Sequence, residues 1–332
     1  MQMTRRGFLK TAAAAGVAAG LSSAARSDVA GTKAFRTALY KALIAPVADD
    51  TTCERIAKAG FTGMELTKKS VTIEQAVQGR RTAEKHGLGI HSLMSGGADF
   101  NNPDPDACQQ SLETMKQRLQ VAAAYGASTM LLVPCRVNGN VPKPSRFKID
   151  FDPKTLRVAS VVEGDNTPFA AYIDAQNRAT ELTRAAVEDL LPVAAREGVF
   201  IALENVWNNL WVLPDFAAAF IRSFDSPWVK AYLDLGNHVR YTPTEQWLRT
   251  LGRSIVKLHI KDFKIDRTKK TDGDFVPIGK GSIDWKSVRK TIDEVGYNGW
   301  VSIEENAYTD AEYSALMDRF FAGQDVRTGL PS

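Results

Sequence analysis

Short apolar runs alternate with longer amphipathic segments between residues 35 and 322. Each apolar run has the length of one strand, and together they predict strands at residues 37–45, 61–67, 88–95, 128–135, 199–205, 229–235, 255–261 and 299–304. The amphipathic segment after each run predicts a helix, at residues 51–59, 73–85, 104–125, 168–197, 214–224, 244–251, 285–295 and 310–321. Several of these helices are followed directly by glycine, the usual left-handed helix stop.

Eight strand–helix units in succession predict a closed parallel (β/α)8 barrel, the TIM-barrel architecture. An open doubly wound sheet is the alternative, but it needs a glycine-rich phosphate loop after its first strand, and residues 44–47 read Ile-Ala-Pro-Val. We therefore expect residues 26–332 to form one barrel domain. Its long irregular stretch, residues 136–167, follows the fourth strand at the face that carries barrel active sites, where a lid and a mobile insertion both fit the sequence.

The first 25 residues contain the three parts of an export signal in the expected order. Arg5 and Arg6 begin the sequence Arg-Arg-Gly-Phe-Leu-Lys, an alanine-rich stretch follows, and small residues up to Ala25 offer a cleavage site. The arginine pair resembles the twin-arginine signal, and an amphipathic N-terminal helix is the alternative. We expect residues 1–25 to be a signal peptide that engages the Tat export machinery, and the mature protein to be periplasmic or otherwise exported, without a membrane anchor.

Composition and charge narrow the classes of partner. Hydrophobic residues make up 44% of the 332 residues and charged residues 24%, which excludes a disordered chain. The net charge is +4, and because the leader holds three basic residues and no acid, the rest of the chain carries +1. A charge this close to neutral argues against nucleic acid or a membrane surface as a partner, since phosphate binding needs a concentrated basic field. Cys53 and Cys108 lie on predicted helices, where a bridge between them is an open alternative.

Polar residues occupy inward-facing positions at the ends of four consecutive strands. In the fifth predicted strand, aliphatic side chains alternate from residue 199 to residue 203 and face the helices, so Glu204 faces the barrel axis. The same alternation turns one polar residue inward in each of the next three strands: Asp234, His259 and Glu304. All four lie near the C-terminal ends of their strands, where barrel enzymes carry their chemistry.

Three carboxylates and one imidazole that converge on one point are typical of a divalent-metal site. Without a cation the carboxylates would repel one another, and their pKa values would rise. This donor set suits Mn²⁺, Mg²⁺, Co²⁺, Zn²⁺ or Fe²⁺ rather than an ion that prefers thiolates. Four separately solvated loop-end residues are the alternative, but their common phase in consecutive strands argues against it. We expect one divalent ion at this site, with Mn²⁺ as the first candidate.

Six segments of the chain, in their order and spacing, resemble the sugar phosphate isomerase/epimerase family, which has the xylose-isomerase-like barrel and includes ketose 3-epimerases. They are residues 59–66 (AGFTGMEL), 201–205 (IALEN), 232–238 (YLDLGNH), 257–262 (KLHIKD), 278–285 (IGKGSIDW) and 296–304 (GYNGWVSIE). The resemblance implies that Glu204, Asp234, His259 and Glu304 are metal ligands, the same four that the strand phase selects. It also implies that the two glutamates act as proton acceptor and donor on opposite faces of a sugar. Family members often dimerise, so a homodimer is a further expectation.

The chain departs from the ketose epimerases at two positions. Lys280 occupies the centre of a Gly-x-Gly turn where glutamate is usual. Asn237 stands three residues after Asp234, where those enzymes have a histidine, and His238 follows one residue later. These departures leave the fold and the ligand set unchanged, but they weaken the link to a particular substrate and reaction.

Five further residues are candidates for substrate binding: Glu65, His91, Trp207, His238 and Lys261. Lys261 lies on the inward phase beside His259, where it would bond a sugar oxygen or else pair with a neighbouring acid. Trp207 would offer a sugar ring an apolar wall or else pack within its loop. For the two histidines and Glu65, a structural role inside the barrel is the alternative.

These observations lead to one leading function and two alternatives. We expect an exported, metal-dependent sugar isomerase or epimerase that acts on a keto-sugar or related carbohydrate through an enediolate. Export favours unphosphorylated substrates, because phosphate esters are mostly intracellular. A lyase or dehydratase acting on a 3-keto-glycoside or an inosose is the second interpretation, and a non-catalytic sugar-binding barrel is the third. The endonuclease branch of the family fits less well, because its sites use many histidines and this chain has four.

Overall fold

The computed structural model describes residues 35–68 and 70–328, so the predicted signal peptide lies outside the described residues. The strands in these ranges are β1 (Leu39–Ala45), β2 (Gly63–Leu66), β3 (Gly89–Gly97), β4 (Thr129–Val133), β5 (Asp150–Phe151), β6 (Val158–Ser160), β7 (Phe200–Glu204), β8 (Val229–Asp234), β9 (Ile255–Ile260), β10 (Asp262–Ile265), β11 (Gly273–Val276) and β12 (Gly299–Ile303). The helices are α1 (Asp50–Lys58), α2 (Ile73–Lys85), α3 (Pro105–Ala124), α4 (Ala170–Glu197), α5 (Pro214–Arg222), α6 (Thr244–Leu251), α7 (Trp285–Val295) and α8 (Asp310–Phe321).

Eight of the strands close into a parallel barrel, in the order β1-β12-β9-β8-β7-β4-β3-β2. The closing pair joins the first and last barrel strands, with Leu39 opposite Gly299 and Leu43 opposite Ile303. A helix follows each barrel strand along the chain. The predicted TIM barrel is therefore confirmed, and the C-terminal strand ends lie together at one face of the barrel.

The buried side chains form an outer core and a smaller inner core. The large core includes alternate aliphatic residues of the barrel strands, such as Ile201 and Val301, which pack with residues of the helices. A separate cluster of Leu131, Ala202 and Tyr232 fills the barrel interior. This division confirms the alternation predicted for the strands, because residues 201 and 202 belong to different cores.

Local sequence signals explain where several helices begin and end. Gly198 and Gly296 end α4 and α7 with φ of +67° and +73°, a conformation that glycine adopts without steric cost. A capping box formed by Thr72 and Gln75 starts α2. Helix α4 begins at Ala170, two residues later than predicted, because residues 167–169 form a 3₁₀ turn.

The stretch 136–167, for which a lid and a mobile insertion were both considered, contains short regular elements. It contains a 3₁₀ turn at Pro144–Arg146 and the antiparallel hairpin of β5 and β6. Leu156 and Val161 are buried in the outer core. The side chain of Asn177 on α4 binds both backbone groups of Val158, at 2.7 Å to the nitrogen and 3.0 Å to the oxygen. Apolar burial and backbone hydrogen bonds therefore hold the insertion against the barrel.

A second hairpin, of β10 and β11, follows β9 directly and was not predicted. Its tight return depends on Gly273, which has a φ of +142°. A Cβ atom at this position would lie 2.1 Å from the backbone oxygen of Lys264, so no other residue fits without a shift of the hairpin. The hairpin begins just after the C-terminal end of β9, and its Phe263 and Phe275 pack against Trp207, which lies in the loop after β7.

All three cysteines are free, so the bridge considered between Cys53 and Cys108 is absent from the described residues. Cys53 is buried and its Sγ lies 3.7 Å from the Sδ of Met64. Cys108 directs its thiol to the backbone oxygens of Phe100 and Asn102. In the part of the chain that the structure describes, no helix has both the length and the apolarity needed to cross a membrane.

Candidate metal centre

Four polar side chains meet at the C-terminal face of the barrel. Glu204 ends β7, Asp234 ends β8, His259 lies one residue before the end of β9, and Glu304 follows β12 directly. One ligand atom from each of the four lies within 4.8 Å of the others. The side chains of Asp234 and His259 are fully buried, whereas that of Glu304 is 30% exposed. The strand ends therefore bring together the four residues that the alternation selected, and Glu304 is the most accessible of them.

Asp234 is anchored through one carboxylate oxygen and leaves the other one facing the cluster. Its Oδ1 accepts hydrogen bonds from the backbone nitrogens of Gly236, at 2.8 Å, and Asn237. The side chain of Asn205 binds both backbone groups of Asp234, which fixes the end of β8 against the end of β7. Within the described residues, Asp234 Oδ2 is buried with no hydrogen-bond partner. A buried acceptor with no donor is costly unless a ligand satisfies it.

His259 lies between carboxylates on both sides of its ring. Its Nδ1 is 3.0 Å from Glu304 Oε2 and 3.4 Å from Glu204 Oε1. Its Nε2 is 2.7 Å from Oε2 of Glu65, deeper in the barrel. Burial lowers the pKa of His259, but the charges of Glu65 and Glu304 outweigh burial and raise this pKa well above its usual value. Without a metal ion, His259 therefore carries positive charge into the cluster.

Lys261 is the second cation beside the cluster. Its Nζ lies 2.8 Å from Glu304 Oε2, 3.4 Å from Asp234 Oδ2 and 3.3 Å from Asn237 Oδ1. Burial lowers the pKa of Lys261, but the charges of Asp234 and Glu304 outweigh burial and raise the pKa above its usual value. Lys261 thus pairs with two of the candidate ligands, Asp234 and Glu304, and contact of Lys261 with a sugar oxygen stays a prediction.

The carboxylates differ in how strongly the cluster stabilises their charged forms. Burial raises the pKa of Glu204 and raises the pKa of Asp234 to about 7. Burial also acts on Glu304, but the charges of His259 and Lys261 outweigh burial and lower its pKa. The negative charges of Glu204 and Asp234 are therefore only partly balanced by the protein, and a bound cation would balance them.

The donor set fits a divalent ion. Its atoms are three carboxylate oxygens and one imidazole nitrogen, the donors that first-row divalent metals bind at the mouths of enzyme barrels. Asp234 Oδ2 is buried without a hydrogen bond inside the described ranges, and the Nζ of Lys261 lies 3.4 Å from it. Residues that would hold the ion are Glu204, Asp234, His259 and Glu304.

Three of the predicted substrate-binding residues are buried and bind other groups of the protein. Glu65 is fully buried beneath His259, and its oxygens bind side chains of the barrel interior. His91 lies deeper still, where its Nε2 binds Ser302 Oγ at 3.0 Å and its ring stacks on Trp300. His238 is buried and donates from Nε2 to the backbone oxygen of Val206. These contacts describe structural roles, and direct contact of the three residues with a substrate stays a prediction.

Burial also keeps the two histidines in their neutral forms. It lowers the pKa of His91 well below its usual value and lowers the pKa of His238 to about 3. The alternation of side chains along the strand predicted correctly that His91 faces the barrel axis. It does not predict how deep in the barrel the side chain lies. His238 lies in the loop after β8, which ends at Asp234, and strand alternation predicts no side-chain direction in a loop.

Trp207 remains at the rim of the site with partial exposure. Its indole nitrogen donates to the backbone oxygen of Asn237. The guanidinium of Arg240 lies 3.5 Å from the centre of its ring, and Phe275 of β11 packs against it at 4.7 Å between ring centroids. Loop packing therefore accounts for much of this side chain, and contact with a sugar stays a prediction.

Sequence reasoning missed two buried aspartates that hold the loops around the site. Asp262 accepts hydrogen bonds through Oδ2 from the backbone nitrogens of Gly279 and Gly281 and from the indole of Trp285. The sequence did contain a signal, the Gly-x-Gly pattern at residues 279–281. Gly281 is needed there because a Cβ atom would lie 1.9 Å from Asp262 Oδ1. Asp272 joins the β10–β11 hairpin to the 136–167 insertion. Asp272 lies among other charged residues in the sequence, so no sequence signal distinguished it from a solvent-exposed loop residue.

Replacing Asp272 with asparagine should loosen the 136–167 insertion. Asp272 is buried and accepts from Lys143 at 2.8 Å, from the backbone nitrogen of Ser145 at 2.7 Å and from Arg267 at 3.0 Å. Removal of its charge should lower the free energy of local opening by about 1–3 kcal/mol. Hydrogen exchange at pH 7 should be faster across residues 136–167 in the Asp272→Asn variant and unchanged in the barrel strands.

The stabilisation of the 136–167 insertion by Asp272 should depend on pH. Burial raises the pKa of Asp272, but hydrogen bonds from Lys143, Ser145 and Arg267 outweigh burial and hold the pKa below its usual value of 3.8. The stabilisation is therefore complete above pH 3.8 and is lost as the pH falls through the lowered pKa. The exchange difference between the wild type and Asp272→Asn should shrink over that acidic range; a constant difference would contradict this assignment.

The fold and site together define a class: a (β/α)8 barrel whose C-terminal mouth carries an acidic cluster with one imidazole, suited to a divalent ion. Residues 53–321 match the xylose isomerase-like TIM barrel family, and the chain belongs to that family. This finding agrees with the resemblance expected from the six sequence segments. The family assignment covers the barrel from α1 to the end of α8.

Relatives and solved structures in this group include sugar epimerases. The chain is 28% identical over 134 residues to L-ribulose-5-phosphate 3-epimerase UlaE of Escherichia coli, covering 40% of this chain and 45% of the relative. A D-tagatose 3-epimerase-like protein superposes with a TM-score of 0.64 at 15% identity, covering 85% of this chain and 97% of that one. The IolI protein, solved with a zinc atom, superposes with a TM-score of 0.62 at 16% identity, covering 88% and 99%. These structural likenesses show the fold.

The N-terminal segment is a twin-arginine translocation signal, matched over residues 2–22. The chain is therefore exported through the twin-arginine pathway, as the sequence predicted. Replacing Arg5 and Arg6 together with lysine should retain the protein in the cytoplasm, because the pathway recognises the arginine pair. Fractionation of cells that express the two forms, with the single Lys10→Arg change as a control that keeps the pair, tests this. Unchanged export of the double variant would contradict it.

Proposed function

We propose that this protein is an exported, metal-dependent sugar epimerase or isomerase that acts on an unphosphorylated keto-sugar or a related carbohydrate. The observation that carries the proposal is the cluster of Glu204, Asp234, His259 and Glu304, whose ligand atoms lie within 4.8 Å of one another at the barrel mouth. Family membership and the similarity to sugar epimerases support the class of reaction. The twin-arginine signal supports a periplasmic location, where phosphorylated sugars are scarce.

The reaction needs a proton to leave a carbon next to a carbonyl and to return. A divalent ion bound by the four side chains would polarise the substrate carbonyl and so acidify the neighbouring C–H bond. Glu304 is positioned to take or give that proton, because its side chain is 30% exposed and faces the barrel mouth. Glu204 is 5% exposed and would serve as the second proton carrier from the opposite side of the sugar.

Lys261 has a supporting role in this proposal. Its ammonium lies within 3.4 Å of both Asp234 and Glu304, so it neutralises these carboxylates before a metal ion is bound. Once the carboxylates bind the ion, the ammonium is free to donate to an oxygen of the sugar. A positive group at this place would stabilise the negative charge that develops on that oxygen as the proton leaves.

A deuterium-exchange experiment tests the proposed function. Protein purified after export is analysed for metal, stripped with a chelator and reloaded separately with Mn²⁺, Co²⁺ or Zn²⁺. Each form is then incubated in D₂O with unphosphorylated ketopentoses, ketohexoses and 3-keto-glycosides, and the products are followed by NMR. We expect metal-dependent incorporation of deuterium at the carbon next to the carbonyl, together with the epimer or isomer.

Each other outcome of this experiment has a defined meaning. Exchange accompanied by loss of water or of a glycosidic group would replace the epimerase with a lyase or dehydratase. Sugar binding by the metal-loaded protein without exchange across the whole panel would favour a non-catalytic binding barrel. Absence of bound metal in every form would contradict the proposal itself.

A further inference from the structure

A buried carboxylate stands behind the candidate metal centre. Glu65 on β2 and His259 on β9 are both fully buried, and Glu65 Oε2 lies 2.7 Å from His259 Nε2. The same oxygen accepts from the hydroxyl of Tyr232 at 2.6 Å, and Glu65 Oε1 accepts from the hydroxyl of Ser92 at 3.1 Å. Three barrel strands therefore supply side chains that converge on Glu65.

The hydrogen-bond roles follow from the chemistry of the groups. A carboxylate only accepts, so Nε2, which faces Glu65, carries a hydrogen. In the metal-bound form the ring carries one hydrogen, because the nitrogen that binds the ion must be free of hydrogen. Nε2–H therefore points down into the barrel. Nδ1 lies on the other side of the ring, 3.0 Å from Glu304 and 3.4 Å from Glu204. Nδ1 is consequently the atom available to a metal ion.

Packing reinforces this orientation of the ring. The phenol ring of Tyr232 lies against the imidazole of His259, with 4.3 Å between the ring centroids and 49° between the planes. Turning the imidazole over would place carbon atoms where Nδ1 and Nε2 now stand. That conformer would lose the bond to Glu65 and would present no nitrogen to the cluster, so Glu65 selects the ring orientation that binds metal.

We propose that Glu65 is a positioning residue for the metal centre, which holds the Nε2–H form of His259 and directs Nδ1 to the ion. This inference rests on the proposed function insofar as it requires a metal ion at the cluster. Carboxylates that accept from the outer nitrogen of a metal-bound histidine fix its tautomer and increase its basicity as a ligand. Glu65 acts through His259 and has no direct contact with a substrate.

The first test measures the affinity for metal, with Co²⁺ as the probe. Visible absorption of Co²⁺ is titrated in the metal-free wild type and in Glu65→Gln, a variant that keeps the size of the side chain. We expect the dissociation constant to rise about 10–100-fold in the variant. Ser92→Ala is the matched control, because it removes one hydrogen bond to Glu65 but leaves the contact with His259 intact. Its dissociation constant should stay at the wild-type value.

The second test uses the wild type alone, so it holds even where Glu65→Gln fails to fold. Nitrogen-15 NMR of the Zn²⁺-loaded protein assigns the two nitrogens of His259. We expect Nε2 to carry the hydrogen and Nδ1 to bind zinc. Zinc on Nε2, or equal Co²⁺ affinity in the wild type and Glu65→Gln, would overturn the role of Glu65 and leave the proposed function standing. A wild type that binds neither Co²⁺ nor Zn²⁺ overturns both.

Discussion

Replacing Glu304 with glutamine should reduce kcat about 10²–10⁴-fold, the range that positioned acid–base groups contribute. Glutamine keeps the shape of the side chain and an oxygen that can reach a metal ion, but it cannot accept a proton from the sugar. Glu304 is the most exposed of the four cluster residues, which makes it the carboxylate most open to the substrate. The measurement is the rate of metal-dependent deuterium exchange at saturating substrate.

The neighbouring Glu305 provides a matched control. Its two oxygens accept from the backbone nitrogen of Ile278, at 3.2 Å and 3.1 Å, and glutamine can accept the same bond. Glu305→Gln should therefore retain kcat, although it lies next to Glu304 in the sequence. The metal content of each variant is measured in parallel. Full turnover by metal-loaded Glu304→Gln would contradict its role in proton transfer.

Replacing Asp234 with asparagine should weaken metal binding by more than the roughly 10–100-fold that loss of an outer-shell partner costs. Asp234 is anchored through Oδ1 to the backbone nitrogens of Gly236 and Asn237, and Oδ2 is the atom offered to the ion. An amide at this position removes one negative charge from the donor set. Dissociation constants for Mn²⁺ or Co²⁺, measured by titration of the metal-free protein, report the effect.

Asp262→Asn separates loss of a ligand from general damage to the barrel. Asp262 is as buried as Asp234 and begins β10, just after the adjacent barrel strand β9, but its Oδ2 accepts hydrogen bonds from Gly279, Gly281 and Trp285. We expect this variant to lower thermal stability and to keep the wild-type affinity for metal. Equal metal affinity in Asp234→Asn and the wild type would show that Asp234 is not a ligand.

Bound metal should also raise the melting temperature of the wild type, because the metal ion binds the folded state alone.

The barrel was predictable from the sequence because its signals are local. Each barrel strand is an apolar run of suitable length, and each following helix carries its own amphipathic pattern and end signals, as Gly198 and Gly296 show. The β10–β11 hairpin lacked such a signal. Its four-residue strands contain charged and exposed residues such as Lys264 and Asp274, and tertiary contacts through Asp272 and Trp207 hold it in place.

The same distinction applies to the site. Alternation along a strand gives the direction of a side chain, so it placed Glu204 and His259 on the barrel axis. It gives neither the depth of a residue nor the partner that it meets. His91 and Glu65 were therefore predicted at the mouth, whereas the structure places both inside the barrel. Lys261 pairs with Asp234 and Glu304, which come from two other strands. The identity of these partners depends on how the strand ends meet, and no local sequence pattern specifies that.

Anomalous diffraction from crystals of the Mn²⁺-loaded protein tests the central claim most directly. The claim is that Glu204, Asp234, His259 and Glu304 coordinate one and the same ion. Data collected above and below the manganese edge should show a single strong peak at the barrel mouth, within bonding distance of three carboxylate oxygens and His259 Nδ1. Absence of a peak at that position, or a peak bound by a different set of residues, would contradict the account.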